Sequence, residues 1–292
     1  MPSISVIVST YNNPKFLEKV LMGYAHQSFK DFEIIIADDG SGEETKNIIQ
    51  KFNRLISQNI IHVWHRDDGF RKCKILNEAI TTSSKEYLVF SDGDCIPNRQ
   101  FLATHNNLAK TGYFLSGGHF PINEKVSDSI KITDVESEDC FNKSFIFKNG
   151  QPLGKNFFKL IKNSFLAKCL DQISPTRTTF NGNNSSAWRN DIILVNGFDE
   201  RMEYGGLDCE LGYRLNNNGI KSIQIRNRVT VIHLYHTRPY KNEEAIKKNR
   251  LIRQTTLSTK ITKTDYGITK WILNIQSFLT CKSFTICRNI YL

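Results

Sequence analysis

Four apolar runs in the first 94 residues alternate with three stretches of helical spacing, and this alternation limits the fold more tightly than any other feature. Ser3–Ser9 (SISVIVS) is β-branched and apolar, the composition of a buried strand. Asn12, Asn13 and Pro14 break it and open a helix whose Leu17, Val20, Leu21 and Tyr24 fall at i, i+3, i+4 and i+7. FEIIIADDGSG is a second strand, ending in Asp38, Asp39 and a Gly-Ser turn. Residues 43–57 read as a second helix, IIHVWH as a third strand and FRKCKILNEAITTSS as a third helix. YLVFSDGD is the fourth strand. Strands joined through helices in this way predict an α/β fold with a mainly parallel, right-handed sheet flanked by helices.

In open parallel sheets, ligands bind beyond the carboxyl ends of the strands. Thr10 and Tyr11, Asp38 and Asp39, and Asp92 and Asp94 close three of the strands, so they are expected to converge on one crevice. Neither GxGxxG nor GxxxxGK[ST] occurs. A nucleotide bound here needs something other than a phosphate loop to neutralise its phosphates. Asp92 and Asp94 are separated by a single glycine, and carboxylates this close repel unless positive charge lies between them. Asp-Gly is also ordinary turn chemistry, so a solvated turn is the competing reading.

The second half is less regular. YFLSGGHFP (113–121) reads as one strand with glycines where something approaches closely. NFFKLIKNSFLAKCL reads as helical. A strand of small residues, a short helix and a loop then lead to a helix beginning near Leu207. VTVIHLYH (229–236) is a last strand carrying His233 and His236. A divalent ion held by one or two carboxylates, with a pyrophosphate completing its shell, replaces a phosphate loop electrostatically. Imidazole ligands shift the preference from Mg²⁺ towards Mn²⁺.

A composition of 39% hydrophobic and 23% charged residues is that of a folded soluble protein. No run of 18 apolar residues is present to span a bilayer, and MPSISVIVSTYNN lacks the basic start of a signal peptide. Seven cysteines without CxxC spacing suit reduced thiols, and a cytoplasmic location is expected. The net charge of +10 is uneven: residues 241–292 carry ten lysines or arginines against Glu243, Glu244 and Asp265. Such a tail suits an anionic membrane, nucleic acid or an acidic partner. No nucleic-acid-binding module is recognisable, and no nucleic-acid partner is expected. Within 268–280, Ile268, Trp271, Ile272, Ile275, Phe278 and Leu279 share one arc at helical pitch. That helix docks either on the catalytic domain or, peripherally, on the inner face of a membrane.

These residues carry a resemblance. VIVSTYNNPKFLEKVLMGYAHQSFKDFEIIIADDGS resembles the opening of family-2 glycosyltransferases of the GT-A fold, and FSDGDCIP resembles their DxD metal motif. GNNSSAWRNDIILVNGFDE followed by YGGLDCELGYRL is similar to the carboxyl-terminal region shared with β-1,4-galactosyltransferases, including its WGGED-type loop. FRKCKILNEAI resembles the nucleotide-contacting helix and HLYH the late metal-binding segment. The resemblance covers residues 1–120 and 178–240. It implies a nucleotide-sugar-binding half (1–112), an acceptor-binding and catalytic half (113–240) and a basic helical extension (241–292).

Carried over by position, the resemblance implies that Thr10, Asp39 and Phe70 flank the nucleoside base, with Arg71 or Lys72 nearby. Tyr11 and Gly205 join the donor-binding set. Asp92 lies by the ribose and donor sugar, Asp94 and His236 ligate the metal, and His233 sits where a further ligand is placed. Tyr204 takes a tryptophan position against donor and acceptor. Asp208 matches the catalytic carboxylate, with Glu210 as a second candidate, whereas Leu207 stands where the family's loop has an acid. The implied reaction is inverting transfer from a UDP-sugar (galactose or N-acetylgalactosamine) with Mn²⁺ or Mg²⁺. The implied acceptor is a growing surface glycan or lipid-linked oligosaccharide. Transfer of glucose or N-acetylglucosamine on the same fold, or a nucleotidyl transfer, is the alternative.

Overall fold

The computed structural model describes residues 1–269 except 153 and 162. The chain opens with β1 (Ile4–Thr10), α1 (Pro14–Ala25), β2 (Phe32–Asp38), α2 (Glu43–Leu55), β3 (Ile60–Trp64), α3 (Lys72–Thr82) and β4 (Tyr87–Asp92). Asn13 caps α1 by accepting from the Phe16 N–H at 3.3 Å, and Pro14 supplies a preset first turn. Every residue of β1 and β2 is buried, which explains why both runs are mostly apolar rather than alternating. The pleat still divides them between two faces. Ile4, Val6 and Val8 pack with Leu17, Val20 and Leu21 of α1 on one side, and Ile7 packs with Ile75, Leu76 and Ile80 of α3 on the other.

Beyond β4 come β5 (Cys95–Ile96), α4 (Phe101–Leu108), β6 (Tyr113–Ser116), β7 (Gly118–Pro121), α5 (Glu124–Ser129), α6 (Ile132–Glu136), α7 (Lys143–Lys148) and α8 (Ser164–Ile173). They are followed by β8 (Ser185–Trp188), α9 (Arg189–Leu194), α10 (Leu207–Asn217), β9 (Lys221–Gln224), β10 (Thr230–His233) and α11 (Glu243–Thr259). The main sheet runs β3-β2-β1-β4-β8-β6-β9, with β8 antiparallel to both its neighbours and the other pairings parallel. A second sheet runs β5-β10-β7. This is the mainly parallel α/β architecture expected.

The single strand expected over 113–121 is two strands in different sheets. The chain turns at Gly117, where a Cβ would lie 2.1 Å from the Asn184 side chain and only glycine fits. The helix expected over 156–170 is also broken: a 3₁₀ turn over Lys155–Leu160 ends, and Asn163 starts α8 by accepting from the Leu166 N–H at 2.9 Å. Cys73, Cys95, Cys140, Cys169 and Cys209 are free thiols. The expected 268–280 helix lies outside the described residues beyond Thr269. Ile268, assigned to its apolar arc, is buried in the α3–α10 core at 1% exposure. Among the described residues no helix is long and apolar enough to cross a membrane.

Candidate active site

The register of the sheet brings the strand ends together. β1 lies between β2 and β4, pairing Thr10 with Asp38 and Ser9 with Asp92, so the three strands finish at one level. A cavity of about 510 Å³ opens there. It is lined by Thr10, Tyr11, Asp39, Phe70, Lys72, Asp92 and Asp94 from the first half, and by Tyr204, Gly205, Asp208, His233 and His236 from the second. Asp38 takes another course: it is fully buried, bonded to His62 at 2.9 Å and to the Ser41 N–H at 2.8 Å. Asp39 instead lines the cavity, held by His65 at 2.9 Å and the Arg71 N–H at 3.0 Å.

Two charged centres divide the site. Asp92 accepts at one oxygen from Ser9 Oγ at 2.6 Å and Lys72 Nζ at 2.7 Å. Burial alone lowers the Lys72 ammonium's pKa, but Asp92 and Asp208 outweigh it and raise it above the ordinary lysine value. The second centre depends on the two-residue strand β5, which pairs antiparallel with β10 and sets Cys95 opposite His233. Asp94, one residue earlier, therefore meets the late histidines: His236 Nε2 lies 2.9 Å and His233 Nε2 3.8 Å from its Oδ2. Burial opposes its charge, yet the His236 bond and both histidines together hold the carboxyl well below the usual range.

Asp94, Cys95 and His233 offer ligand atoms within 4.8 Å of one another. A carboxylate beside imidazoles suits a divalent transition ion, so these residues fit the cation that the resemblance implied. His119 extends the row, its ring centroid 5.4 Å from that of His233. Burial, His233 and Lys159 push its pKa down to about 4, leaving a neutral imidazole bonded to Asn183 at 3.1 Å.

Asp208 sits in the first turn of α10, after Gly206 at φ +81°. Its Oδ1 is buried without a hydrogen-bond partner among the described residues. A Cβ on Gly182 would lie 2.6 Å from that oxygen, so glycine permits the approach. Burial and nearby Asp92 raise the carboxyl to about 6, against the opposing pull of Lys72 and the Gly182 N–H. A buried carboxylate with one oxygen unpartnered among the described residues and with this pKa is poised to accept a proton near neutrality.

Two expected site residues do not reach the cavity. Glu210 is 1% exposed, gripping Arg214 through contacts of 2.7–3.0 Å and accepting from Thr256 Oγ1 at 2.9 Å. A buried, fully paired carboxylate has no free lone pair for an acceptor proton, so Glu210 is removed from the catalytic set. Arg71 bonds Asp39 through its backbone and Asp68 through its side chain, and it does not line the cavity. Sequence reasoning missed His119, Asn183, Arg238 and Tyr240, all of which line it. Tyr240 completes an aromatic cluster with Phe70 and Tyr204, with centroids 5.1–6.3 Å apart. Its only signal was an aromatic residue a few positions past the HxxH pair.

The fold is GT-A type, and the chain belongs to glycosyl transferase family 2, whose model matches residues 5–170. It is 28% identical over 239 residues to the chondroitin synthase of Escherichia coli, covering 74% of this chain and 32% of that one. The chain spans a third to a half of the length of such curated relatives. Staphylococcus aureus TarS 1–349 in complex with UDP-GlcNAc superposes with a TM-score of 0.60 at 16% identity, over 92% of this chain and 69% of that one. The mannosyltransferase PcManGT of Pyrobaculum calidifontis, in complex with GDP-Man and Mn²⁺, superposes with a TM-score of 0.58 at 17% identity, over 90% and 66%.

Proposed function

We propose that the protein is an inverting, cation-dependent glycosyltransferase that moves a hexosyl group from a UDP-sugar to a glycan hydroxyl. The observation that carries this reading is the Asp208 carboxyl, its Oδ1 unpartnered among the described residues and its pKa raised to about 6, in the same cavity as the Asp94–His236 centre. Family membership and the nucleotide-sugar ligands of the two structural neighbours support a nucleotide-sugar donor. Galactose or N-acetylgalactosamine is the proposed sugar. The acceptor is a surface glycan or lipid-linked oligosaccharide, met in the cytoplasm at the inner membrane face, where the basic 241–292 segment favours an anionic surface.

Asp94, His236 and His233 are the residues that would hold Mn²⁺ or Mg²⁺. When bound, such a cation supplies positive charge against the pyrophosphate leaving group. Asp39, with Thr10 and Phe70, positions the base, while Lys72 bonds Asp92 beside the ribose and sugar. Asp208 takes the proton from the acceptor hydroxyl as its oxygen bonds to the anomeric carbon. The bond from that carbon to the phosphate oxygen breaks, and UDP leaves on the opposite face. One displacement inverts the anomeric configuration.

Incubating the full chain with labelled UDP- and GDP-sugars, with and without Mn²⁺, tests the reading. The expected products are UDP and a transferred or hydrolysed sugar, formed only with the cation. Release of UMP or pyrophosphate points to nucleotidyl transfer, and no turnover of any nucleotide sugar overturns the proposal.

A further inference from the structure

The segment that reads from sequence as a basic tail contributes a helix that grips the loop before α10. Asn249, fully buried on α11, donates from one amide nitrogen to three consecutive carbonyls, Glu203 at 3.0 Å, Tyr204 at 3.1 Å and Gly205 at 3.2 Å. The two following contacts are backbone against side chain. A Cβ on Gly205 would lie 3.3 Å from Ile246 Cγ1, and one on Gly206 would lie 2.8 Å from Arg253 Cζ. Both glycines have positive φ, +115° and +81°, so the loop lies flat on the helix in a shape other residues resist. One helical turn beyond Arg253, Thr256 bonds Glu210 of α10. At 100° per residue, Ile246, Asn249, Arg253 and Thr256 fall in an arc of about 80° on one face of α11.

We propose that this face of α11, with Asn249 at its centre, is a positioning element for glycosyl transfer. It fixes the 203–206 loop in the shape that presents Tyr204 and Asp208 to the cavity. The inference rests on the role given to Asp208 above. Three carbonyls drawn to one amide leave the loop a single well-defined path, and Asp208 begins two residues past its end. Asn249 touches neither donor nor acceptor in this account; it acts through the loop. Displacement of a reacting group by about 1 Å costs up to ~100-fold in rate, so a loosened loop is visible in turnover.

The test is Asn249→Asp in the full chain, which keeps the shape and puts a carboxylate against the three carbonyls. Three readouts are taken: amide hydrogen exchange along the chain, Mn²⁺-dependent affinity for UDP, and turnover of UDP-galactose. The account expects exchange at 203–208 to rise at least ~10-fold with β1–β4 unchanged. It expects turnover to fall about 10- to 100-fold while UDP affinity stays within about threefold. Unchanged exchange at 203–208, or raised exchange with normal turnover, overturns it. Thr256→Val, which removes the hydroxyl that bonds Glu210 and, within α11, the Ile252 carbonyl, gives the same pattern at smaller amplitude and serves if the first variant does not fold. A wild-type chain that consumes no nucleotide sugar overturns the proposed function and the catalytic meaning of this face of α11, yet leaves the exchange difference intact, which separates the two failures.

Discussion

The strands β1–β4 and the region from α9 to α11 both line the cavity, but they are held in place by different chemistry. In β1 and β2 most of the buried side chains are hydrophobic, divided by the pleat between two cores, with Ser5, Ser9, Thr10, Glu33 and Asp38 a buried polar minority. Around α10 the buried set includes Asn196, Asp199, Glu210, Arg214, Asn249, Thr256 and Thr264, each tied to a named partner. Aliphatic packing tolerates small losses because many weak contacts share the load. A buried polar network depends on every member, since removing one leaves its partner unsatisfied in low dielectric. The β1–β4 platform is therefore predicted to be robust to single changes, and the α9–α11 side brittle.

The largest effect falls on Asp94 and its histidines, where the two regions meet. Asp94→Ala is expected to bring transfer to the detection limit and to abolish any Mn²⁺ dependence of UDP binding in calorimetry; near-normal turnover in a folded variant would reduce the DGD motif to a turn. Next, Arg214→Ala strands Glu210 and frees the Val195 carbonyl that Arg214 Nη1 caps. A cost of about 3–5 kcal/mol is expected in urea unfolding, and less than about 1 kcal/mol would break the contrast drawn here.

A smaller effect comes from Asp208 itself. Its carboxyl, raised to about 6 from 3.8, binds its proton more tightly folded than unfolded. Stability attributable to it therefore falls as pH rises from about 4 to 6, and the deficit persists above. Asp208→Asn is expected to stabilise the chain by about 1–3 kcal/mol at pH 8 and by almost nothing at pH 3.5. A destabilisation at pH 8 would mean the carboxylate is a structural cap. The smallest effect is on the platform: Ile7→Val, at a fully buried position of β1, should cost about 0.5–1.5 kcal/mol and leave UDP affinity unchanged.

The same contrast explains what could be read in the chain. β1 to β4 were legible because strand burial and helical spacing are local signals, and the family match likewise begins within β1 and stops at residue 170. The β5 pairing was not legible, since two residues carry no periodicity and their partner lies more than 130 positions away. β8 was legible only as a strand of small residues, because its buried Ser185 and Ser186 are held by hydrogen bonds, to the Asn181 N–H and the Tyr87 hydroxyl, rather than by hydrophobicity. Asp208 was found through the YGGLDCEL motif, but the same motif also suggested Glu210, and only the position of Arg214 one turn on, with Thr256 from α11, shows which acid is occupied. Asn249 gave no signal, as a lone asparagine in a basic helix reads as solvated.

The account's central claim is that Asp208 is the base acting in the cavity where Asp94 and its histidines gather, and the kinetics of Asp208→Asn test it most directly. Asparagine keeps the size and cannot accept the proton. Turnover is expected to fall at least ~100-fold, with UDP affinity in the presence of Mn²⁺ unchanged and with the wild-type acid limb near pH 6 lost from the residual rate. Turnover within a few-fold of wild type, with the acid limb retained, would contradict the claim and place the base elsewhere in the cavity.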